Sequence, residues 1–173
     1  MIFVTGTDTD CGKTTVGRSI LVALRARGLS VAPLKPIETG CLERDGHRVG
    51  ADAEALALAA GVELLHDAIC PIRLDLPASP ERAAEAEGVG PLDLSPIKEA
   101  FDRLSKTYEF VLVEGAGGLL VPVTPGQMMA DLPKLLGLPV LVVASDALGT
   151  VNHTLLTLEA IRTRGIDLLG VVF

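Results

Sequence analysis

Three observations predict an α/β fold: a parallel sheet with helices on both faces. Short apolar runs alternate with segments of helical character along the chain. Apolar residues make up 49% and aromatics only 3%, so the interior is Val, Leu, Ile and Ala, a mix that suits strands buried on both sides. A glycine-bounded stretch, Thr5 to Thr15, joins the first apolar run directly to the first helix. The 173 residues, without internal repeat, low-complexity tract or linker, suit one domain spanning 1–173.

Taken in order, Ile2-Phe3-Val4 reads as the first strand. A helix runs from about Lys13 to Arg27, with Gly28 as its stop. Ser30 to Pro36 is a second strand, and Pro33 and Pro36 make it irregular or an edge. Ile37 to Arg48, rich in Gly and charge, is expected as loop. Ala51 to Ala60 is a helix closed by Gly61. Glu63 to Pro80 carries Pro71, Pro77 and Pro80 and is expected as loop. Ser79-Pro80 opens a short helix, with Ser79 as cap, that stops at Gly88; Ser95-Pro96 repeats the signal for a helix to about Lys106. Glu109 to Glu114 is a third strand, and Gln127 to Leu136 is expected to be helical. Pro139 to Ala144, apolar on both faces, is a fourth and central strand. Thr150 to Arg164 is a helix stopped by Gly165, and Leu168 to Phe173 is a fifth strand. A doubly wound domain normally continues past such a strand into a loop and a last helix. The sequence therefore predicts a fold lacking its C-terminal part.

Charge and composition narrow the function classes. A net charge of −7 with no basic face argues against nucleic acid. Mean hydropathy is +0.44, yet no apolar run approaches the ~18 residues of a membrane span. Met1 leads straight into a strand with no basic segment or cleavage site, so a cytoplasmic protein is expected. Cys11, Cys41 and Cys70 share no Cys-x-x-Cys spacing, which argues against disulfides and zinc.

The strongest motif is Gly6-Thr7-Asp8-Thr9-Asp10-Cys11-Gly12-Lys13-Thr14-Thr15. Strand, glycine loop, Lys-Thr and helix make a phosphate cradle: backbone N–H groups and a helix N-terminus face an anion, Lys13 adds a full charge, and the Thr14 hydroxyl can reach Mg²⁺. The fold class is therefore that of the P-loop NTPases. Five residues separate Gly6 from Gly12, where the usual spacing is about four. Cys11, inside the loop, reads most simply as a small apolar filler.

Ligands of open parallel sheets sit beyond the carboxyl ends of the strands. That rim collects Lys35, Glu38-Thr39-Gly40, Glu114-Gly115-Ala116-Gly117-Gly118 and Ser145 to Asn152. Glu114 fits the acid that completes a phosphate-loop Mg²⁺ site, or a carboxylate capping a turn. Asp52 fits a metal ligand or a helix-start acid facing the dipole. Lys35 is either a solvated strand-end lysine or a second cation beside a transferring phosphoryl group. His47, His66 and His153 have no partner spacing for a metal or a triad.

Together these segments resemble the dethiobiotin synthetases, ATP-dependent ligases of biotin biosynthesis. The likeness runs from the first strand to Phe173 and rests on the five-residue spacer, Lys35-Pro36-Ile37-Glu38-Thr39-Gly40, Asp52, Val113 to Gly118, and Leu148 to His153. It implies that Asp10, Cys11, Gly12, Lys13, Thr14 and Thr15 wrap the ATP phosphates, with Asp52, Glu114, Gly115, Ala116 and Gly117 completing the nucleotide and metal site. Thr14, Asp52 and Glu114 would hold Mg²⁺, and Lys13 and Lys35 would be the catalytic cations. Thr9, Lys35, Thr39 and Gly118 would meet 7,8-diaminopelargonate, whose carboxylate tail would reach Gly149, Thr150, Val151 and Asn152 across a homodimer.

The implied reaction adds CO₂ to one substrate amine as a carbamate. The carbamate attacks the ATP γ-phosphate and displaces ADP, and the second amine then attacks the carbonyl of the resulting carbamic–phosphoric anhydride, closing the ring and releasing phosphate. Asp10 and Cys11 stand where the family often has Glu and Val, and Thr39 where it often has Ser. The family also continues beyond this last strand into segments that read the nucleotide base. Two other readings share the fold. A partitioning-type ATPase normally carries a second lysine in the loop, which Thr7 to Asp10 lack. An inactive nucleotide-binding module would follow from a missing C-terminal part.

Overall fold

A computed structural model describes residues 1–62 and 66–173, the side chain of His66 excepted. β1 (Ile2–Gly6) leads through the glycine loop to α1 (Lys13–Ala26). β2 (Val31–Leu34), three short strands β3 (Ile37–Thr39), β4 (Leu42–Arg44) and β5 (His47–Val49), and α2 (Ala51–Ala60) follow. Next come α3 (His66–Ile69), β6 (Ile72–Leu74), α4 (Pro80–Ala86), α5 (Ser95–Thr107) and the long β7 (Phe110–Gly118). The hairpin β8 (Pro122–Thr124) and β9 (Gln127–Met128), α6 (Asp131–Leu136), β10 (Val140–Val143), α7 (Thr150–Thr163) and β11 (Leu168–Val172) complete the order.

The main sheet is parallel throughout, in the order β11-β10-β1-β7-β2. Its strands alternate between two cores. Phe3, Val111, Val113, Val140 and Val142 pack on one face with Ile97 and Phe101 of α5 and Ile161 of α7. Ile2, Val4, Leu112, Leu141 and Val143 pack on the other with Leu21 of α1 and Leu56 of α2. Successive strand side chains point to opposite faces, so continuous apolar runs are what a sheet covered on both sides requires. Each fully buried Leu there contributes about 1.5–3 kcal/mol over an exposed one. The helices stop where left-handed glycines were expected: Gly28, Gly61 and Gly165 have φ of 87°, 66° and 63°.

The sequence reading needs correction where pairing is long-range. The Ile37 to Arg48 loop contains three strands. β4 and β5 form a hairpin turned by Asp45-Gly46, both at positive φ (53° and 77°), and β3 pairs in parallel with β6. α3 and β6 likewise replace part of the loop expected over Glu63 to Pro80; Glu63 to Leu65 lie outside the described residues. Gln127-Met128 pair with β8 instead of opening a helix, which starts only at Asp131. Ser95 is the first residue of α5 and not its cap: Asp93 accepts both the Ser95 N–H (2.9 Å) and hydroxyl (2.7 Å). β10 is interior, but the middle strand is β1, which pairs on both sides and so continues through Thr5 to Gly6. β2 is an edge strand, as its proline predicted. Among the described residues no helix is long and apolar enough to cross a membrane.

Candidate functional site

A cavity of about 760 Å³ opens where β1, β2 and β7 end. Its phosphate side is the loop into α1. Gly12 caps α1 at φ 99°, no side chain caps the helix, and no acid stands in its first turn. The first N–H groups of α1 are therefore open to an anion, with the helix dipole behind them. Lys13 is buried yet lines the cavity, and its Nζ donates to the Asp8 carbonyl at 2.8 Å. A Cβ on Gly6 would overlap Cys11 Sγ and approach the Asp8 carbonyl to 2.8 Å and Lys13 Nζ to 3.0 Å, so the loop closes only over glycine. Cys11 is buried beneath it, as a filler would be.

The facing side is a buried charge cluster. Lys35 is 2% exposed, and its Nζ donates to Asp52 Oδ2 and Glu114 Oε1, each at 2.7 Å. Burial pulls the Lys35 ammonium down, but the carboxylates of Glu114 and Asp52 outweigh it and hold the group above its ordinary range. Burial likewise pushes Asp52 up, and Lys35 overrides it to leave the carboxyl below its usual value. The Thr14 hydroxyl lies 3.0 Å from Asp52 Oδ1 and 2.8 Å from Glu114 Oε1. A hydroxyl has one proton to donate. Three side-chain oxygens thus converge around a single donated proton, and the buried Glu114 Oε2 has no hydrogen-bond partner. Hard oxygens gathered this way have the chemistry to hold Mg²⁺. Among the described residues no three His, Cys, Asp or Glu side chains form a metal cluster of their own.

Glu38 lies beside this cluster and is also buried. Its two carboxylate oxygens accept the N–H groups of Asp52 (2.8 Å) and Ala53 (3.0 Å), closing the N-terminus of α2. Burial pushes the Glu38 carboxyl up, against the pull of Lys35 and of these two N–H groups.

The remaining expected residues divide in two. Thr9, Asp10, Thr15, Thr39, Ala116 and Gly117 line the cavity. Gly117, at φ 62°, sits opposite Thr9: a Cβ there would come within 3.5 Å of Thr9 Oγ1. Glu114 and Gly115 support the cavity from behind through Lys35, whose Nζ also lies 3.4 Å from the Gly115 carbonyl. Gly118 pairs with Gly6 within the sheet and does not line the cavity. Nor do Gly149, Thr150, Val151 and Asn152, which open α7; Gly149 caps that helix at φ 98°. The side chains of His47 and His153 are not in the cavity wall, and the side chain of His66 lies outside the described residues. Burial raises the Cys41 thiol to about 11 and the Cys70 thiol further, so both stay protonated at neutral pH.

Sequence reasoning missed two parts of the wall. Glu38 was visible on the rim, but no spacing rule ties it to a helix start 14 residues later. Pro77 to Pro80 form the wall facing Gly40. The Ser-Pro signal there announced a helix without saying what it faces.

A family model described as an AAA domain matches residues 1–173. The ATP-dependent dethiobiotin synthetase BioD of Anaeromyxobacter dehalogenans is 48% identical over 174 residues, which cover 99% of this chain and 74% of the relative. The protein of the same name from Methanocaldococcus jannaschii is 43% identical, with 99% and 78% covered. That from Thermodesulfovibrio yellowstonii is 42% identical, with 98% and 73% covered. The chain spans about three quarters of the length of these relatives. Among solved structures, the BceF tyrosine kinase domain superposes with a TM-score of 0.59 at 19% identity, covering 99% of this chain and 67% of that one. The kinase domain of Escherichia coli tyrosine kinase ETK gives 0.57 at 15% identity, with 98% and 65% covered. At that identity the likeness concerns the fold alone.

Proposed function

Because the chain belongs to the ATP-dependent dethiobiotin synthetase family, we propose that this cavity is its reaction site, with Lys13 and Lys35 as the two cations that carry the chemistry. The activity is that of an ATP-dependent ligase of biotin biosynthesis: 7,8-diaminopelargonate and CO₂ become dethiobiotin at the expense of ATP. One observation carries the assignment of residues. Lys13, beside an open helix N-terminus, and Lys35, fixed by two carboxylates, line one cavity.

The loop N–H groups and Lys13 hold the phosphates from Asp10 to Thr15. Thr14, Asp52 and Glu114 would hold Mg²⁺, which would supply charge neutralisation at the phosphates. Lys35, held charged at the cavity wall by Asp52 and Glu114, is the fixed positive charge that stabilises the transferring phosphoryl group. Thr9, Thr39 and Gly117, which line the cavity, orient the diamine, and Gly118 lies behind them in the sheet. No cysteine or described histidine side chain lines the cavity, which suits a reaction whose nucleophiles are the substrate's own amines and carbamate.

The substrate carboxylate is assigned to Gly149 to Asn152 of a second subunit in a homodimer. Two features support this. The first N–H groups of α7 are uncapped by any side chain, with no acid in the first turn. Leu148, Val151, Leu155 and Leu156 around that helix start are all exposed, at 107%, 69%, 60% and 62%. The cytoplasm, where ATP is available, is the compartment this reading assigns.

The test is phosphate release from ATP with each substrate omitted in turn. Release is expected only when the diamine and bicarbonate are both present. ATP turnover indifferent to the diamine would overturn the reading.

A further inference from the structure

Glu38 is buried, borders the cavity and uses both carboxylate oxygens on one helix end. We propose that Glu38 is a positioning residue: it caps α2 from a neighbouring strand and thereby fixes Asp52 against Lys35 and Thr14. The proposal rests on the reading of Lys35 and Asp52 as part of the reaction site.

The cap is supplied from a distance although a local one was available. Gly50 is the N-cap of α2 in extended geometry, φ −94° and ψ 130°, with no side-chain bond of its own. Any residue can adopt that conformation, and Ser, Asn or Asp there would accept an N–H of the first turn. A Cβ on Gly50 would instead overlap the Glu38 carboxylate. The bare N-cap makes room for a side chain 14 residues earlier.

A local cap only closes a helix, whereas Glu38 also ties the helix to the segment that carries Lys35. The two residues are three positions apart. Asp52 is held twice by that one segment: its N–H donates to Glu38, and its carboxylate accepts from Lys35 at 2.7 Å. A side chain held at one point pivots about it. Held at backbone and carboxylate together, Asp52 keeps a fixed orientation toward Thr14 Oγ1, 3.0 Å away. The bonds to Glu38 are charge-assisted, the stronger kind.

The experiment compares Glu38→Ala, Glu38→Gln, Gly50→Ser and the double variant Glu38→Ala/Gly50→Ser in the intact chain. Steady-state kinetics with ATP, the diamine and bicarbonate are run below the onset of unfolding. Amide hydrogen exchange at Asp52 and Ala53 and the ¹⁵N signal of the Lys35 ammonium are followed alongside. Glu38→Ala is expected to lower kcat about a hundredfold with KM for ATP within about threefold, the signature of a displaced catalytic group. Both amides exchange faster and the Lys35 signal moves. Gly50→Ser alone lowers kcat through its overlap with Glu38. In the double variant serine recaps the helix and returns kcat to within about tenfold of wild type. Glu38→Gln keeps the volume and one acceptor, falls between, and decides the matter if the alanine variant does not fold.

A reduced Tm with kcat and the Lys35 signal unchanged would overturn the proposal and leave only a helix cap. So would amides restored by Gly50→Ser without recovery of kcat, since Glu38 would then act on the reactants directly. Asp52→Asn separates the two levels. Lost turnover there, with none lost in Glu38→Ala, defeats the positioning role alone; full turnover there defeats the reading of the site.

Discussion

Among the described residues, three helices start at a glycine without a side-chain cap of its own, and they divide by what meets their first N–H groups. α1 and α7 begin at Gly12 and Gly149 with nearly the same left-handed geometry, φ 99° and 98°, and neither has an acid in its first turn. α2 begins at Gly50 in extended geometry, with two acids in its first turn, and Glu38 occupies its end. A helix N-terminus left open attracts an anion, and one closed by a carboxylate cannot. α1 thus has the electrostatics of a ligand site; α7 shares its glycine start, with the first N–H, that of Thr150, donated to the Ala147 carbonyl at 3.0 Å. α2 has the electrostatics of a mount, and what it carries is Asp52.

Lys13→Ala tests the open end most severely. Turnover is expected to fall about a thousandfold or more, with ATP binding weakened in parallel, read by phosphate release and by titration of ATP. Lys35→Ala tests the mounted cluster. Turnover falls by a similar factor, but ATP affinity stays within about tenfold. The variant also leaves Asp52 and Glu114 facing each other, and thermal unfolding should register a loss of about 3 kcal/mol, the lower end for a broken buried pair because Asp52 is 44% exposed. Equal losses of ATP affinity in the two lysine variants would erase the distinction between the sides.

Asn152→Glu places an acid in the first turn of α7, making it more like α2. KM for the diamine should rise about tenfold while KM for ATP does not move. A rise in KM for ATP instead would remove the anion site from α7. Leu155→Glu puts a charge on the exposed apolar face around that helix, and if the proposed homodimer forms through that face, sedimentation should find the variant smaller than wild type. Arg44→Ala is the smallest change. Arg44 bonds Glu54 in α2 at 2.6 Å, but the partners are 58% and 36% exposed, so stability and kcat should move by less than about 0.5 kcal/mol and twofold. A larger effect would mean that α2 is positioned by more than Glu38.

The phosphate loop and the glycine stops were legible because their information is local. A strand, a glycine that admits no side chain, a lysine and a helix occur within a dozen residues, and φ at Gly28 or Gly61 depends on that residue alone. β7 was misjudged for the opposite reason. The sequence ends the third strand at Glu114, yet Gly115 to Gly118 continue it because β1 pairs alongside, with a bulge that sets Glu114 opposite Val4 and Gly118 opposite Gly6. The Ile37 to Arg48 segment likewise became strand only through partners, one of them β6.

By itself the sequence determined the alternating binary pattern, hence a parallel sheet between two helical layers, and the identities of the charged groups on its carboxyl rim. Tertiary structure alone decided which of them meet. Thr14 and Glu114 are 100 residues apart, Lys35 and Glu114 are 79, and Glu38 reaches α2 across 14. Local propensity acts over a few residues along the chain, whereas a charge pair is decided by strand order and register. The sheet that brings β2, β7 and α1 together therefore makes the site.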